Sequence, residues 1–385
     1  MRPADDCSFH IEGEILMKSM TYEGTGVKYG AMDPFKQMCQ QAGRATAGNI
    51  NRLNGGEFKE FEPSRGESAY LIEAKNSYFA HVEEGLGTKN LVADAMTKLT
   101  NWALYDRVAQ CTVAMIVNDL ITVGALPLSV AMHLAVGSAD WFKDQERVRS
   151  LVKGWAHACN LARCIWGGGE TPTLKGIIDP ETCVLAGSAL GIVKPKSRLI
   201  IGNKIQPGDA IVLIESSGIH ANGLTLAREI AEKLPKGYLT EVTDGRTYGD
   251  ILLDPTEIYV GMMEDCLDAG IDIHGAVNIT GHGWRKLMRA NEPFIYVIEQ
   301  LPQSQPIFEF IQKHGPVDDR EAYGNLNMGA GFALYVPWVQ APAVIAVAAS
   351  MGKKAWTAGC IEVGPKKVVI VPKNLEFLGE TLAVR

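Results

Sequence analysis

Residues 106–124 are the segment that most restricts how this chain can fold. Apolar side chains surround a helix drawn through this segment almost completely, with Val113, Ile116 and Leu120 among them. A helix without a polar face must be covered on all sides by other elements. The sequence therefore predicts a buried helix in the middle of a domain.

Two polar residues, Asn118 and Asp119, lie inside this apolar helix. Removing a carboxylate from water is costly unless the carboxylate is paired or binds a metal ion. Asp119 is therefore predicted to be a metal ligand. The alternative is a structural carboxylate that caps a neighbouring element or forms an ion pair in the core.

The rest of the chain mixes strands and helices without a short repeat or a low-complexity tract. The predicted strands are 78–82, 128–134, 164–166, 182–193, 210–215, 275–280 and 294–298. The predicted helices begin at 90 and cover 106–124, 140–160, 224–233 and 255–267. This mixed order favours α+β domains over one regular βαβ winding.

The length of 385 residues is long for a single hydrophobic core, so two domains are expected. Proline and glycine punctuate the chain at 194–207, which suggests the boundary between them. Residues 1–75 are turn-rich and charged, as a mobile arm or a disordered tail would be. The predicted organisation is an arm at 1–75, a first domain at 76–197 and a second at 198–385.

Composition excludes several classes of function. The net charge of −7, from 37 basic and 44 acidic residues, argues against nucleic-acid binding. No stretch approaches the ~18 consecutive apolar residues of a membrane span, and the first 20 residues lack a signal-peptide core. The eight cysteines include no CxxC pair, which favours reduced thiols in a cytoplasmic protein over disulfides or a metal site.

Two glycine-rich segments are candidate phosphate sites. Gly85, Gly87, Thr88 and Lys89 follow Glu84 at a predicted strand-to-helix turn, where backbone amides and a lysine can bind an anion. The turn is not a Walker A loop, and an ordinary turn is the alternative. Gly168 and Gly169 precede Glu170 after another short strand. Glu84, Asp119 and Glu170 together could supply the oxygen ligands that Mg²⁺ prefers.

Two further loops carry polar groups suited to a phosphorylated substrate. Ser216, Ser217, His220 and Asn222 are crowded into one loop at a predicted strand end, with His220 as a donor or acid–base group. A serine hydrolase is excluded because no GxSxG nucleophile elbow is present. The segment Thr280-Gly281-His282-Gly283 is a second glycine turn after a strand, in which His282 could contact a ligand.

In order along the chain, these segments resemble the aminoimidazole ribonucleotide synthetase family. The motifs are GxGTK (85–89), VAMxVNDL (113–120), GGET (168–171), AGxxxGxV (186–193), SSGxHxNG (216–223), LLxPTxIYV (252–260), TGxG (280–283) and NMGxG (327–331). The resemblance implies an α+β, two-domain PurM-like ATP-binding fold with a C-terminal α/β sandwich-like domain. It also implies a homodimer whose N-terminal domains pair into a β-barrel.

The implied activity is ATP- and Mg²⁺-dependent ring closure of formylglycinamidine ribonucleotide to aminoimidazole ribonucleotide. By this resemblance, Glu84, Asp119 and Glu170 are metal ligands, and Asp119, Lys89 and His220 are catalytic. Nucleotide contacts fall on Gly85, Gly87, Thr88, Lys89, Asn118, Gly168 and Gly169. Substrate contacts fall on Ser216, Ser217, His220, Asn222, Thr280 and Gly281.

Several residues depart from the family pattern. The family's acidic residues are replaced by Cys111, Leu126 and Met132, a metal-binding Asp becomes Glu84, and a second His becomes Asn278. These departures keep two alternatives open. One is a different ATP-dependent enzyme of the superfamily that phosphorylates an amide or a carboxylate. The other is a non-catalytic nucleotide-binding paralogue.

Overall fold

The structure is a computed structural model that describes residues 19–26 and 29–382. Its strands are β1 (Lys59–Glu60), β2 (Tyr70–Glu73), β3 (Tyr78–Gly85), β4 (Leu126–Val136), β5 (Ile165–Glu170), β6 (Cys183–Val193), β7 (Asp209–Glu215), β8 (Glu241–Thr243), β9 (Arg246–Thr247), β10 (Gly275–Asn278), β11 (Phe294–Ile298), β12 (Ala330–Pro337), β13 (Ala355–Val363), β14 (Lys367–Ile370) and β15 (Leu375–Leu378).

The helices are α1 (Tyr29–Ala45), α2 (Lys89–Thr100), α3 (Tyr105–Ile121), α4 (Gln145–Leu161), α5 (Leu224–Lys233), α6 (Tyr248–Leu252), α7 (Val260–Asp268), α8 (Pro306–His314), α9 (Asp319–Asn325) and α10 (Ala341–Ser350). Within the described residues, no helix is both long and apolar enough to cross a bilayer.

The first sheet has the strand order β1-β2-β3-β6-β4-β5, antiparallel except for the parallel pair β4 and β5. Side chains of β6 alternate between buried and accessible, so the sheet has one covered face. Helix α3 covers that face and packs against α4. All but three of the 17 residues of α3 are buried, which confirms the predicted central helix.

The second sheet has the order β10-β12-β7-β13-β11-β14-β15 and forms the core of the C-terminal half. Every residue of β12 is buried apart from Pro337, and every residue of β7 apart from Glu215. Two sheets in sequence, each with its own helices, confirm the predicted two-domain α+β class.

The predicted arm at 1–75 is too long at its C-terminal end. Strands β1 and β2 lie within it but pair antiparallel with each other and with β3, so they belong to the first sheet. The sequence did not predict this pairing for two reasons. Residues 54–66 are rich in turn-forming residues, and a two-residue strand such as β1 is too short to show a period of alternation.

The two domains meet along α3. The Asn118 side chain donates to the Glu257 carbonyl (2.7 Å) and accepts from the Tyr259 amide (3.0 Å). Two helical turns earlier in α3, the Cys111 sulfur accepts a hydrogen bond from the Thr256 amide (3.3 Å). The segment before α7 is held as a loop by these bonds. The helix predicted at 255–267 therefore begins only at Val260.

Lys89 joins the domains from the start of α2. Its side chain is buried, and its ammonium group donates to the carbonyls of His220 (2.8 Å) and Asp254 (2.6 Å), both in the C-terminal domain. The prediction of Lys89 as a catalytic and phosphate-binding lysine does not fit this geometry, because the ammonium is turned toward two carbonyl oxygens. Its role in the structure is to fasten the two domains.

We expect Lys89→Met to lower the free energy of unfolding by about 2–4 kcal/mol, since two buried carbonyl groups lose their donor. Urea unfolding measures the change. The matched control is Lys98→Met in the same helix, whose exposed ion pair with Glu181 contributes at most about 1 kcal/mol. Equal effects of the two substitutions would contradict the fastening role.

The outer face of the first sheet is apolar and accessible. Leu190 of β6 pairs with Ser129 of β4, which pairs with Ile165 of β5, so their side chains share this face. Ile165 is 70% exposed and Leu190 is 43% exposed. Val184 lies on the same face of β6 and is also exposed. In the described chain, no helix covers these residues as α3 covers the opposite face.

Candidate active site

Polar side chains of both domains meet where the covered face of the first sheet lies against the second domain, and this group of residues is called the cleft. Glu84 pairs with Gly187 of β6, and Gly187 faces α3, so Glu84 points toward the helix that carries Asp119. Asn278, at the end of β10, donates to the Asp119 carboxylate (2.7 Å). The cleft is thus built from both domains.

The two acidic side chains influence each other. Burial and, after it, the neighbouring Asp119 carboxylate raise the pKa of Glu84 to about 7, while the charge of Lys286 acts in the opposite direction. Glu84 is therefore only partly ionised near neutral pH. Two carboxylates close together in a half-buried cleft are typical of sites that bind a cation or exchange a proton.

Lys286 is the basic member of the cleft. It lies on the 3₁₀ helix Gly283–Met288, where Trp284, Leu287 and Met288 are buried, and its ammonium group hydrogen-bonds the Thr280 hydroxyl. Burial lowers the pKa of Lys286, and the Asp119 and Glu84 carboxylates oppose that shift. Sequence analysis missed this residue. Its signal was a lysine inside an otherwise apolar stretch directly after the TGxG turn.

More positive charge surrounds the same end of the cleft. The Arg289 guanidinium donates to the Gly66 carbonyl (2.8 Å). Burial lowers the pKa of His282 to about 3, helped by the nearby charges of Arg285, Lys286 and Lys36 of α1. His282 is therefore neutral at physiological pH, and its backbone takes the left-handed conformation (φ 70°) that the glycine turn requires.

Glu170 does not join the other two acids within the described chain. Glu170 pairs with His133, His133 with Ala186, and Ala186 with Gly85, so three strand spacings, about 14 Å, separate it from the end of β3. Ala186 faces away from α3, so Glu170 points to the outer face and Glu84 to the covered face. No cluster of three or more His, Cys, Asp or Glu side chains with metal-binding geometry occurs among the described residues.

The glycine run before Glu170 is part of a strand. Gly168 and Gly169 lie in β5, not in a loop after it, and the pairing with β4 shifts its register opposite them. Gly168 has φ 126°, and a Cβ on Gly169 would lie 2.1 Å from the Met132 carbonyl oxygen. Gly169 is needed for close strand packing and Gly168 for its positive φ, and both lie in a strand instead of the expected phosphate loop.

The turn from Gly85 to Thr88 does lie between β3 and α2, as predicted. Gly87 adopts a left-handed conformation (φ 77°), and a Cβ there would lie 3.9 Å from the Ala221 carbonyl oxygen. The Thr88 side chain makes no capping bond to α2. Through Gly87, the turn lies next to Ala221 in the loop between β7 and α5.

Most polar side chains of the loop at 216–223 have protein partners. The Ser216 hydroxyl donates to the Asn327 side chain (3.0 Å), and the Ser217 hydroxyl donates to the Pro255 carbonyl (2.5 Å). The Asn222 amide contacts the Met115 sulfur at 3.7 Å, a weak bond that a ligand can replace. The loop is thus held in shape by its own side chains.

His220 is buried and its Nε2 accepts from the Ser217 amide (3.2 Å). Burial lowers its pKa to about 3, with smaller contributions from the charges of Lys89 and Lys353. Such a histidine is neutral at pH 7. A general-acid role for His220 is therefore not favoured, because a general acid must carry a proton near the working pH.

The departures from the family pattern differ in position. Cys111 lies at the joint between domains, and Met132 of β4 pairs with Gly187, next to Glu84 in the sheet. Leu126 begins β4, away from that pair. His274, four residues before Asn278, bonds the buried Asp209 carboxylate (2.7 Å). Met132 and Asn278, which bonds Asp119, are therefore the departures that lie near Glu84.

The raised pKa of Glu84 predicts a pH-dependent stability. Between pH 4.5 and about 7 the folded state holds more protons than the unfolded chain, so the free energy of unfolding falls as pH rises. In buffer without divalent cations, Glu84→Gln should therefore gain about 1–3 kcal/mol relative to the original protein between pH 5 and pH 8. Urea unfolding at both pH values measures it. The control is the exposed neighbour Glu83→Gln, and equal pH dependence in both variants would refute the prediction.

This fold and cleft define a class. The family model "AIR synthase related protein, N-terminal domain" matches residues 66–193, and its C-terminal counterpart matches residues 206–372. The chain is 34% identical over 365 residues to phosphoribosylformylglycinamidine cyclo-ligase of Carboxydothermus hydrogenoformans. The alignment covers 92% of this chain and 99% of the relative. The enzyme of the same name from Symbiobacterium thermophilum is 36% identical, with 84% and 89% covered. The chain belongs to the phosphoribosylformylglycinamidine cyclo-ligase family of AIR synthase-related proteins.

Solved structures share the fold at lower identity. Thiamine-monophosphate kinase from Stenotrophomonas maltophilia K279a aligns with a TM-score of 0.57 at 18% identity, covering 85% of this chain and 95% of that one. The hydrogenase maturation protein HypE in complex with ATP aligns with a TM-score of 0.54 at 16% identity, covering 72% and 81%. These likenesses confirm the PurM-like architecture predicted from the motifs.

Proposed function

We propose that the chain catalyses ATP-dependent cyclisation of formylglycinamidine ribonucleotide to aminoimidazole ribonucleotide, a step of purine synthesis that releases ADP and phosphate. The observation that carries this proposal is the cleft between domains, in which Glu84 and Asp119 lie close to Lys286. The cleft residues lie in or next to the GxGTK, VNDL and TGxG segments, on which the resemblance to the family rests. The substrates are charged metabolites, and the proposed location is the cytoplasm.

The proposed reaction has two steps. The formyl-amide oxygen attacks the γ-phosphoryl group of ATP, and ADP leaves. The substrate's own amino nitrogen then attacks the activated carbon, and phosphate departs with the former amide oxygen. Phosphoryl transfer needs positioning and compensation of negative charge more than covalent chemistry. Lys286 supplies a fixed positive charge for this purpose, and Asn278 holds the Asp119 carboxylate in one orientation.

The donor set of the cleft fits magnesium. Mg²⁺ binds one or two protein carboxylates and completes its shell with phosphate oxygens and waters. Glu84 and Asp119 are two such carboxylates on one face of the sheet, and we propose them as the ligands, without Glu170 of the same chain. When bound, the ion would neutralise negative charge on the nucleotide phosphates. Because the pKa of Glu84 is raised, part of the protein carries a protonated Glu84 at neutral pH. Glu84 binds a cation only after it loses this proton.

Nucleotide and substrate contacts are proposed for the two adjoining loops. The backbone of Gly85, Gly87 and Thr88 precedes α2, so its amides lie at a positive helix end suited to phosphate. The structure of HypE, which is similar to this chain in fold, was solved in complex with ATP, and this supports ATP as the nucleotide. Asn222, with only a weak sulfur partner, and Thr280 with Gly281 are the proposed substrate contacts. Asn118 and Lys89 are left out because both hold the domain joint.

A homodimer is proposed through the outer face of the first sheet. Leu190, Ile165 and Val184 expose apolar side chains on this face, and a second copy would remove them from water. Glu170 would then point into the interface rather than into the cleft of its own chain. Sedimentation at micromolar protein concentration tests the association, and Ile165→Asp should convert the dimer to monomers.

A second candidate function is ATP-dependent phosphorylation of another amide or carboxylate. It is favoured by the side chains nearest the cleft, where Glu84, Asn278 and Met132 stand in place of family Asp, His and Asp residues. Such changes alter the side chains around the two proposed magnesium ligands, Glu84 and Asp119.

The deciding experiment measures phosphate release from ATP with and without formylglycinamidine ribonucleotide. Release that depends on the substrate, with formation of aminoimidazole ribonucleotide, supports the first function. ATP hydrolysis that the substrate does not stimulate supports the second. Tight ATP binding without turnover would refute both and indicate a non-catalytic nucleotide-binding protein.

A further inference from the structure

Two cysteines face each other at the C-terminal end of α4. The helix ends at Leu161, and Arg163 then takes a left-handed conformation (φ 53°). The Cys164 amide donates back to the Cys159 carbonyl (3.0 Å), five residues earlier. This turn closes many helices, and it brings the side chains of its first and last residues into contact.

The backbone bond limits how far apart the two cysteines can be. Covalent geometry on either side of a 3.0 Å hydrogen bond allows a Cα–Cα separation of at most about 7 Å, and a bent path gives less. Disulfides need a separation of about 4.4–6.8 Å. The separation of the two cysteines is therefore compatible with a disulfide.

The two thiols differ in accessibility and in acidity. Cys159 is buried, whereas Cys164 is partly exposed. A hydrogen bond from the Cys159 thiol lowers the pKa of Cys164, and the same bond raises the pKa of Cys159. The accessible member of the pair is thus also the better thiolate, which is the arrangement of an attacking and a resolving cysteine.

We propose that Cys159 and Cys164 form a dithiol that low-molecular-weight disulfides oxidise reversibly to an intramolecular disulfide. The Cys164 thiolate attacks one sulfur of the small disulfide, forms a mixed disulfide and expels one thiolate. Cys159 loses its proton to solvent, attacks the Cys164 sulfur and expels the second. The small disulfide is reduced to two thiols, and the protein loses two hydrogens.

The other described cysteines serve as internal comparisons. Cys111, Cys183 and Cys266 are buried, so small disulfides do not reach them. Cys39 of α1 is exposed and Cys360 of β13 is partly exposed, and they lie in different domains. Each of these two can form a mixed disulfide, but neither has a neighbouring thiol among the described cysteines to resolve it.

The chain offers two direct readouts. Tryptic cleavage after Lys153, Arg163 and Lys175 separates the pair into the peptides 154–163 and 164–175. Only a disulfide keeps them together. Trp155 and Trp166 flank the pair, with ring centroids 6.1 Å apart, so quenching of tryptophan fluorescence should accompany oxidation.

The experiment treats the folded full-length protein with oxidised glutathione, blocks free thiols at low pH and digests without reduction. We expect the two peptides as one species, two mass units below their sum, and their release by dithiothreitol. Cys159→Ser should instead retain glutathione on peptide 164–175, and Cys164→Ser should leave Cys159 unmodified. Cys39→Ser should give the same linked species as the original protein.

Two results would overturn the proposal. One is recovery of both peptides with blocked, unlinked thiols after oxidation that glutathionylates Cys39. The other is a stable glutathione adduct on Cys164 in the original protein, which would show that Cys159 cannot resolve it. Both results come from the unsubstituted chain, so they decide the matter even if a serine variant folds poorly.

Discussion

Replacing Asp119 with Asn should lower kcat for phosphate release at least ~100-fold, the scale of losing one preorganised charged group. The substitution preserves shape, and an oxygen remains for the amide of Asn278, which now donates 2.7 Å from the carboxylate. The loss would therefore come from the missing negative charge and not from a collapsed cleft. Steady-state kinetics with saturating ATP measure it.

The matched control for this prediction is Asp94→Asn. Asp94 is a carboxylate of the same domain, but it accepts from the hydroxyls of Tyr105 (2.6 Å) and Thr182 (2.6 Å), away from the cleft. It should retain most of the activity. An unchanged rate in Asp119→Asn, with a normal melting temperature, would remove Asp119 from the catalytic machinery.

Replacing Lys286 with Met should lower kcat/KM by about 10²–10⁴, because two carboxylates and the nucleotide phosphates would face each other without the fixed positive charge. The pH profile should change as well. The charge of Lys286 holds down the pKa of Glu84, now raised to about 7, so its loss raises that pKa further. If ionised Glu84 is needed, the acid limb of the rate profile moves to higher pH.

Two variants separate charge from packing at this position. Lys286→Arg keeps the positive charge and should restore part of the rate and the original acid limb. The exposed Lys236→Met controls for loss of a lysine elsewhere. A reduced rate with an unmoved acid limb in Lys286→Met would indicate a structural role only.

The elements of the fold could be predicted where the sequence has a local period. The buried helix α3 follows from its uninterrupted apolar surface, and the strand Phe294–Ile298 was placed within its observed limits. The helix expected from 255 failed for a non-local reason: the side chain of Asn118, far away in sequence, bonds the carbonyl of Glu257 and the amide of Tyr259. Periodicity cannot report such a bond.

The site was predicted in part for similar reasons. Asp119 was conspicuous because a carboxylate in an apolar helix needs an explanation, and the structure places Glu84 beside it. Glu170 was expected in the same cluster, but strand pairing decides which face a residue occupies, and one residue of register reverses it. Lys89 and Lys286 look alike in sequence. Only the hydrogen-bond partners of their ammonium groups show that Lys89 joins the two domains and that Lys286 belongs to the cleft.

Consecutive positions of α3 tie the active site to the architecture of the whole molecule. Asn118 anchors the helix to the second domain, and the next residue, Asp119, receives its orienting bond from that same domain. Separating the two domains would break the bonds of Asn118 and, with them, the hydrogen bond that orients the Asp119 carboxylate. Neither half expressed alone should therefore keep a working site.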